Sequence, residues 1–366
     1  MVSPEIVIDD LSGDDGPYSQ VVEASADALL YHGVKYGRFL KTLMPAARCE
    51  YLVAVAAGRP VAALPTFALE SADHGVVVNS LPFYGSHGGL LATSEAPPEA
   101  GEALMMAFHS RNRQRNVVAA TIVENPVAAE TGRPGPPADL TDRRIGQFSQ
   151  LPAADDRNEL EEKLFAQYHQ KTRNMVRKGL KSDYAFREDG SPRVFAQLAR
   201  MHEEGMRAIG GKFKGPAFFE AVQDAFEHGT DYRLFVAEAP SGEPAAMLLM
   251  LYYRNYAEYF VPVSDADHRS NQPLSALIHH AMVESVLHNG SECWNWGGTW
   301  LSQDGVYRFK SRWGTADREY EYRIWLYPEN GYVTRLSREQ LAHAYPDFFV
   351  VPYSALPTET AEAGNA

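Results

Sequence analysis

WNWGGTWLSQDGVYRFKSRWG, residues 294–314, begins with the pattern of a β-strand that ends in two glycines. Trp294 and Trp296 alternate along the chain, as side chains on one face of a strand do. Gly297 and Gly298 follow directly. Two glycines at the end of a strand indicate a positive φ angle or a close approach of the backbone to another group. The stretch therefore predicts a strand that ends in an unusual backbone conformation.

The second half of this stretch is a turn followed by aromatic and basic side chains. The Asp304-Gly305 pair predicts the turn. The aromatic and basic residues after it are Tyr307, Arg308, Phe309, Lys310 and Arg312. This mixture is typical of a binding site, and it is equally compatible with a buried aromatic strand followed by a solvated basic helix.

DGVYRFKSRWG in this stretch resembles the C-terminal signature of the FemAB-like peptidyltransferases, which are relatives of the acetyltransferase (GNAT) superfamily. Three other stretches agree with the resemblance: NSLPFYGSHGGLLA at 79–92, YHQKTRNMVRKGLK at 168–181, and a strand–loop–helix pattern at 257–287. Together they cover most of residues 25–327. Many members of this family add amino acids from aminoacyl-tRNA to peptidoglycan precursors, so the resemblance implies acyl transfer to an amine. No sustained heptad occurs, so the chain resembles the members that lack a coiled-coil arm.

A hairpin pattern occurs twice, about half a chain apart. Residues 51–69 read YLVAVAAGRPVAALPTFAL, and residues 233–252 read RLFVAEAPSGEPAAMLLMLY. Each is an apolar strand, a glycine turn and a second apolar strand. The repeat predicts an α/β protein of two tandem GNAT-like domains, each a mixed, mostly antiparallel sheet flanked by helices. Chance similarity of two hairpins is the alternative.

The domain boundaries follow from this repeat and from composition. We expect an N-terminal GNAT-like domain at 1–150, a basic connecting helix at 151–184 and a C-terminal GNAT-like domain at 185–352. Residues 353–366 are rich in Ala, Glu, Thr and Gly, which predicts a disordered tail.

The net charge of −13 argues against a general nucleic-acid binder, so any contact with RNA must come from a local basic patch. Residues 171–181 are the one strongly basic stretch. Its cations are Lys171, Arg173, Arg177, Lys178 and Lys181. They are suited to a diphosphate or an RNA strand, and they are equally suited to the C-terminal end of a helix dipole.

Several kinds of site and location are not indicated by the sequence. Two cysteines and scattered histidines give no metal-ligand spacing, so no metal is expected. No apolar run approaches the length of a membrane span. A reducing cytoplasm is the simplest expected location.

The junction before the helix at 274–287 indicates which acyl donor the protein uses. In CoA-using GNAT enzymes this junction carries glycines whose N–H groups hold the pyrophosphate. Here Gln272 and Leu274 stand in the glycine positions, and Pro273 lacks an N–H. We therefore expect no resident cofactor and a co-substrate that is aminoacyl-tRNA, bound at its 3′ end, in preference to acyl-CoA.

The resemblance also implies site residues. Lys310 is the candidate that stabilises developing negative charge or a donor phosphate, at the mouth of the second domain's cleft, and Phe309 shapes the pocket for the donor's 3′ end. The substrate-binding candidates are Lys35, Tyr36, Tyr84, Gly85, Arg173, Arg177, Tyr259, Asn271, Gly297, Gly298, Thr299 and Tyr307.

Three functions remain open at this point. The first is aminoacyl transfer from tRNA to a peptidoglycan precursor or another amino-bearing metabolite. The second is N-acyl transfer from acyl-CoA or an acyl carrier protein. The third is a non-catalytic binding module on a transferase fold.

Overall fold

The computed structural model describes residues 4–9, 16–82, 85–128 and 134–357. The chain divides into two compact units, which are described separately below. The first unit is Met1–Arg144 together with Glu319–Ala366, and the second is Ile145–Arg318.

Strands account for most of both units. In chain order they are β1 (Glu5–Asp9), β2 (Arg48–Ala56), β3 (Arg59–Ser71), β4 (Gly75–Asn79), β5 (Leu91–Ala92), β6 (Val117–Val123), β7 (Leu140–Gln150), β8 (Ala185–Glu188), β9 (Tyr232–Glu238), β10 (Pro244–Tyr253), β11 (Tyr256–Ser264), β12 (Cys293–Trp300) and β13 (Thr315–Leu326).

The α-helices of the described residues are α1 (Pro17–Ala24), α2 (Val34–Leu43), α3 (Ala100–Gln114), α4 (Arg157–Gln167), α5 (Gln170–Leu180), α6 (Pro192–Ala208), α7 (Pro216–Ala225), α8 (Pro273–Asn289), α9 (Asp304–Ser311) and α10 (Arg338–Ala344). Proline at the first helical position starts α1, α6, α7 and α8, where its missing N–H costs nothing.

The sheet of the first unit has the strand order β1–β2–β3–β4–β6–β13, and β5 pairs with β3. The β2–β3 hairpin turns through Ala57 and Gly58, which both have positive φ angles (50° and 76°). Two such residues make the tight turn whose twist matches antiparallel strands. β4 then pairs with β6 in parallel through α3, and Leu104 and Phe108 of α3 lie in the core against the sheet.

The sheet of the second unit has the strand order β7–β12–β11–β10–β9–β8. β9, β10 and β11 form an antiparallel meander, and β11 pairs with β12 in parallel through α8. α8 is apolar around much of its circumference because it is buried against β10 as well as α5. The core also contains Trp294, Trp296 and Trp313, which are fully or almost fully buried.

Both units therefore repeat one topology: an antiparallel hairpin, a third antiparallel strand, a helix and a parallel strand. The predicted α/β fold, with a repeated topology and mostly antiparallel sheets, is confirmed.

The bounds of the units differ from the predicted domains at two places. Residues 151–184 are not one connecting helix but contain α4 and α5, and they belong to the second unit because α5 packs against α8. Residues 319–352 belong to the first unit because Tyr322–Leu326 of β13 pair with β6. The predicted disordered tail begins with a short 3-10 turn, Tyr353–Ala355, and its residues 358–366 lie outside the described residues.

Candidate functional site

The parallel strands β11 and β12 of the second unit pair over only three residues each. The pairs are Tyr256 with Cys293, Ala257 with Trp294, and Glu258 with Asn295. Both strands continue beyond these pairs, β11 to Ser264 and β12 to Trp300. The two strands therefore separate after Glu258 and Asn295, and backbone groups on their facing edges are released from the ladder.

The backbone at the point of separation is irregular in both strands. Gly297 has a φ angle of +72°, which strongly favours glycine. In β11 the register against β10 shifts, so that Leu249 pairs with Val261 and Met250 with Tyr259. Phe260 is the extra residue of this bulge. Bulges of this kind bend a strand and change the direction of its side chains.

A buried polar pair lies at the same point. Asn295 donates from Nδ2 to Glu258 Oε1 (3.2 Å) and accepts at Oδ1 from the Gly297 N–H (2.8 Å). Glu258 is 1% exposed and Asn295 is fully buried. The Asn295 side chain thereby stabilises the left-handed backbone of Gly297 and joins it to a buried carboxyl group.

Lys310 reaches this bend from α9. Its ammonium donates to the Gly297 carbonyl (3.4 Å), the Gly298 carbonyl (3.2 Å) and Thr299 Oγ1 (2.9 Å). The three N–H groups of the ammonium thus meet three oxygen acceptors. The side chain is only 6% exposed, and burial lowers the pKa of Lys310 from 10.5 to about 8. The expectation that Lys310 lies at an open mouth is wrong: α9 is mostly exposed, but its apolar contacts turn Lys310 inward.

Aromatic side chains form the packing beside this ammonium. Trp296 lies with its ring centroid 4.9 Å from Tyr259, 5.5 Å from Trp313 and 6.0 Å from Phe309. Its indole N–H donates to Ser149 Oγ (2.9 Å). Phe309 therefore packs α9 against β12. Trp294 and Trp296 lie in the core next to the Lys310 site.

Six of the sequence-predicted residues come together here. Gly297, Gly298 and Thr299 contact Lys310 directly, while Phe309 and Tyr259 belong to the aromatic packing around Trp296. Tyr307 lies three residues before Lys310 on α9 and is partly exposed. Its hydroxyl donates to Asp317 Oδ2 (2.7 Å), and this hydrogen bond raises the pKa of Tyr307.

Arg173, Arg177 and Asn271 do not contact the ammonium site. Arg173 donates to the Tyr168 carbonyl (2.8 Å), and Arg177 lies over the Phe165 ring at 5.4 Å. Asn271 is exposed in a 3-10 turn before α8. Arg177 is exposed together with other cations of this helix region, which are Lys171, Lys178 and Lys181. They form one basic surface, which we call the α5 patch.

The remaining predicted residues belong to the first unit. Lys35 and Tyr36 lie on α2, where Tyr36 is fully buried against Tyr31 and Phe39. Gly85 follows β4, and a Cβ atom at that position would clash with the Leu81 side chain. Tyr84 lies outside the described residues.

α5 packs closely against the start of α8. Gln272 caps the helix in a left-handed conformation (φ +61°), and Pro273 is its first residue. A Cβ atom at Gly179 of α5 would lie 2.5 Å from the Gln272 carbonyl oxygen and 2.7 Å from Ala276 Cβ. One side of the helix start is therefore packed closely against α5.

The sequence interpretation missed Glu258, Asn295, Gln147 and Asp317. Glu258 had a signal, since it is the only charged residue of the strand YAEYFVPVS. Gln147 and Asp317 had none, because they join the site only through contacts of distant strands.

The described residues contain no group of three or more His, Cys, Asp or Glu side chains that could hold a metal ion. A helix able to span a membrane is likewise not found in this part of the chain.

Comparison with known proteins places this site within a recognised domain. Residues 166–311 match the family model of the acetyltransferase (GNAT) domain. None of the curated proteins matches the chain in sequence.

Solved structures have the same fold at low identity. The crystal structure of FemX is 14% identical, with a TM-score of 0.64, over 84% of this chain and 95% of that one. A conserved protein of unknown function from Bacteroides thetaiotaomicron is 11% identical, with a TM-score of 0.57, over 88% of this chain and 100% of that one. Residues 166–311 therefore match the GNAT domain, the predicted GNAT-like fold is confirmed, and the chain shares the fold of FemX.

Proposed function

We propose that this protein is an acyltransferase that moves an aminoacyl group from aminoacyl-tRNA to an amine of a peptidoglycan precursor or a similar amino-bearing metabolite. The observation that carries the proposal is the buried Lys310 ammonium at the bend where β11 and β12 separate. FemX, which has a similar fold, supports the direction of the proposal.

Attack of an amine on an ester carbonyl creates negative charge on the carbonyl oxygen. A preorganised cation in a site of low dielectric stabilises such charge far more than a solvated one does. Because its pKa is about 8, Lys310 is mostly an ammonium at neutral pH. Its longest contact, 3.4 Å to the Gly297 carbonyl, is the one that a developing oxyanion would replace.

The donor is argued from the start of α8 and from the α5 patch. Pro273 lacks one of the N–H groups that hold a CoA pyrophosphate in related enzymes, and α5 packs closely against this helix start. The exposed cations of the α5 patch offer phosphate contacts in a chain whose net charge is −13. A polyanion such as the tRNA 3′ end fits an exposed basic patch of this kind.

The second candidate is N-acyl transfer from acyl-CoA or an acyl carrier protein. One observation favours it: β11 and β12 stop pairing with each other after Glu258 and Asn295, and an extended acyl chain could lie along the edges that separate there. A non-catalytic binding module is the third outcome, and it requires that neither donor class gives product.

The test is incubation of the protein with each donor class, aminoacyl-tRNA or acyl-CoA, against a panel of amine acceptors. We expect product from aminoacyl-tRNA that ribonuclease treatment of the donor abolishes. Product from acyl-CoA that ribonuclease does not affect would replace the proposal with the second candidate.

Lys310→Met tests the residue itself. Deleting the charge while keeping the length of the side chain should lower turnover on the order of 10²–10³, equivalent to about 3–4 kcal/mol. Lys41→Met is the matched control, because Lys41 is an exposed lysine on α2. Normal turnover of a folded Lys310→Met protein would contradict the assigned role. If high salt reproduces the loss in the wild-type protein, the cation acts on a donor phosphate instead of the oxyanion.

A further inference from the structure

A hydrogen-bonded chain connects Lys310 to the surface of the second unit. Thr299 Oγ1 accepts from Lys310 Nζ (2.9 Å) and donates to Gln147 Oε1 (3.3 Å). Gln147 Nε2 donates to Asp317 Oδ1 (3.3 Å) and to Thr315 Oγ1 (3.4 Å). Thr299 and Gln147 are fully buried, whereas Asp317 is exposed.

The donor and the acceptor of every hydrogen bond between Lys310 and Asp317 are fixed by Asp317, the exposed residue at the end of the series. The carboxylate of Asp317 can only accept, so it holds the NH₂ group of Gln147 toward itself. The Gln147 oxygen must then face Thr299 and can only accept. The single hydroxyl proton of Thr299 is therefore used on Gln147, which leaves a lone pair of Thr299 facing Lys310.

Lys310 consequently meets three groups that only accept: the carbonyls of Gly297 and Gly298 and the oriented Thr299 hydroxyl. An ammonium has three protons for three acceptors. A neutral amine has two, and it would leave one buried acceptor without a partner, which costs about 1–3 kcal/mol.

We propose that Gln147 and Asp317 are positioning residues that fix the direction of the chain and thereby keep Lys310 an ammonium. They do not touch the proposed reacting atoms. The inference deepens the proposed function, because the charge of Lys310 is what that function requires, but the hydrogen-bond directions stand without it.

Other titratable groups lie on the strands and the helix that form this network. On β11, β12, α9 and the start of β13 they are Tyr256, Glu258, Tyr259, Cys293, Asp304, Tyr307, Arg308, Asp317 and Arg318. Burial is the cause of the lowered pKa of Lys310. Asp317 is therefore assigned an action through Gln147 and not through direct attraction.

The test is an NMR titration of the Lys310 side chain in the full-length protein labelled with ¹³C-lysine, with Lys310→Met identifying the signal. Asp317→Asn allows the Gln147 amide to reverse, so that Thr299 donates to a neutral amine. We expect the pKa of Lys310 to fall by about one unit, the equivalent of one hydrogen bond. Asp304→Asn is the control, since it removes an exposed carboxylate from the first turn of α9.

A double-mutant cycle separates the chain from simple charge loss. Gln147→Leu frees the Thr299 hydroxyl proton, so it should also lower the pKa of Lys310, and adding Asp317→Asn should then change nothing further. The inference is overturned if Asp317→Asn has no effect, if Asp304→Asn has an equal effect, or if Asp317→Asn lowers the pKa of Lys310 further in the Gln147→Leu protein. If Asp317→Asn does not fold, Gln147→Leu alone is the test: a lower pKa of Lys310 supports the inference, and an unchanged pKa overturns it.

The activity readout is separate. If the proposed function holds, the alkaline limb of the pH–rate profile should move to lower pH in Asp317→Asn by the same amount as the pKa of Lys310. If the pKa of Lys310 falls but the alkaline limb of the pH–rate profile does not move, the role of Lys310 in turnover is overturned. The inference about the hydrogen bonds from Asp317 to Lys310 then stays intact.

Discussion

The two units each contain a parallel strand pair at the same place in a shared topology, and the two pairs end differently. In the first unit β4 pairs with β6 up to Asn79 and Thr121. The pairing continues past the end of β4, since the Ser80 N–H donates to the Thr121 carbonyl (2.9 Å) and Ser80 Oγ accepts from the Val123 N–H (2.9 Å). In the second unit pairing stops at Glu258 and Asn295 while both strands continue.

The difference shows how one topology can hold either a closed or an opened pair of parallel strands. The pair in the first unit is closed by a serine and surrounded by apolar side chains. The pair in the second unit is opened by the left-handed Gly297, and a buried ammonium occupies the carbonyl groups at the bend. Separated strands with a desolvated charge are a costly arrangement that a purely structural sheet has no reason to keep.

The largest expected effect concerns pH and stability. Burial lowers the pKa of Lys310 to about 8 from 10.5, so the unfolded chain binds more protons than the folded one between these values. The free energy of unfolding contributed by this group therefore rises with pH across that window and falls as pH drops toward 8, by up to about 3 kcal/mol. A lysine that stayed solvated would give no such rise.

Urea unfolding of the wild-type protein and of Lys310→Met, followed from about pH 7 to about pH 10, measures this difference. The wild-type curve should climb relative to that of Lys310→Met. Parallel curves would show that the ammonium is not desolvated. The two strand pairs would then differ in their backbone but not in holding a buried charge.

A matched pair of glycines gives the next largest effect. Gly297 (φ +72°) bends β12, and Gly75 (φ +84°) begins β4. Alanine at either position should destabilise the protein by about 1–2 kcal/mol through left-handed strain. At Gly75 a Cβ atom would also lie 2.8 Å from Val118 Cγ1.

Thermal unfolding and turnover of both variants separate the two roles. Gly75→Ala should lower the melting temperature and leave turnover per folded molecule unchanged. Gly297→Ala should lower both, because it displaces two acceptors of Lys310. Equal turnover in the two variants would show that the bend at Gly297 is only structural.

The smallest effect is expected at the α5 patch. Replacing Lys178 and Lys181 with glutamine should lower kcat/KM for aminoacyl-tRNA by roughly three- to tenfold at low salt, and the difference should disappear at high salt. Arg113→Gln is the control, since Arg113 is an exposed cation at the end of α3 in the first unit. An equal loss in Arg113→Gln would indicate a general charge effect in place of donor binding by the second unit.

Much of this arrangement was predictable because it is local in sequence. The two hairpins follow from alternating apolar runs around glycine turns, and the tryptophan–glycine run of β12 marks the strand and its bend. The motif at 304–314 carried the resemblance to a family and made Lys310 a site candidate together with Gly297, Gly298 and Thr299. Those residues lie within one short stretch, so their types and spacing are enough to predict that they belong to one site.

Only the tertiary structure decided which contacts the site makes over long distances. Gln147 meets Thr299, and Asp317 meets Gln147, because strands far apart in the chain lie side by side in the sheet. It also decided that Lys310 is buried, since helical periodicity over eight residues gives no sign of which face a short helix presents to Trp296 and Trp313. Sequence alone determined the repeated strands, the glycine bend and the cation. The packing of distant strands determined the burial of that cation and the direction of its hydrogen bonds, because desolvation depends on neighbours that no local pattern names.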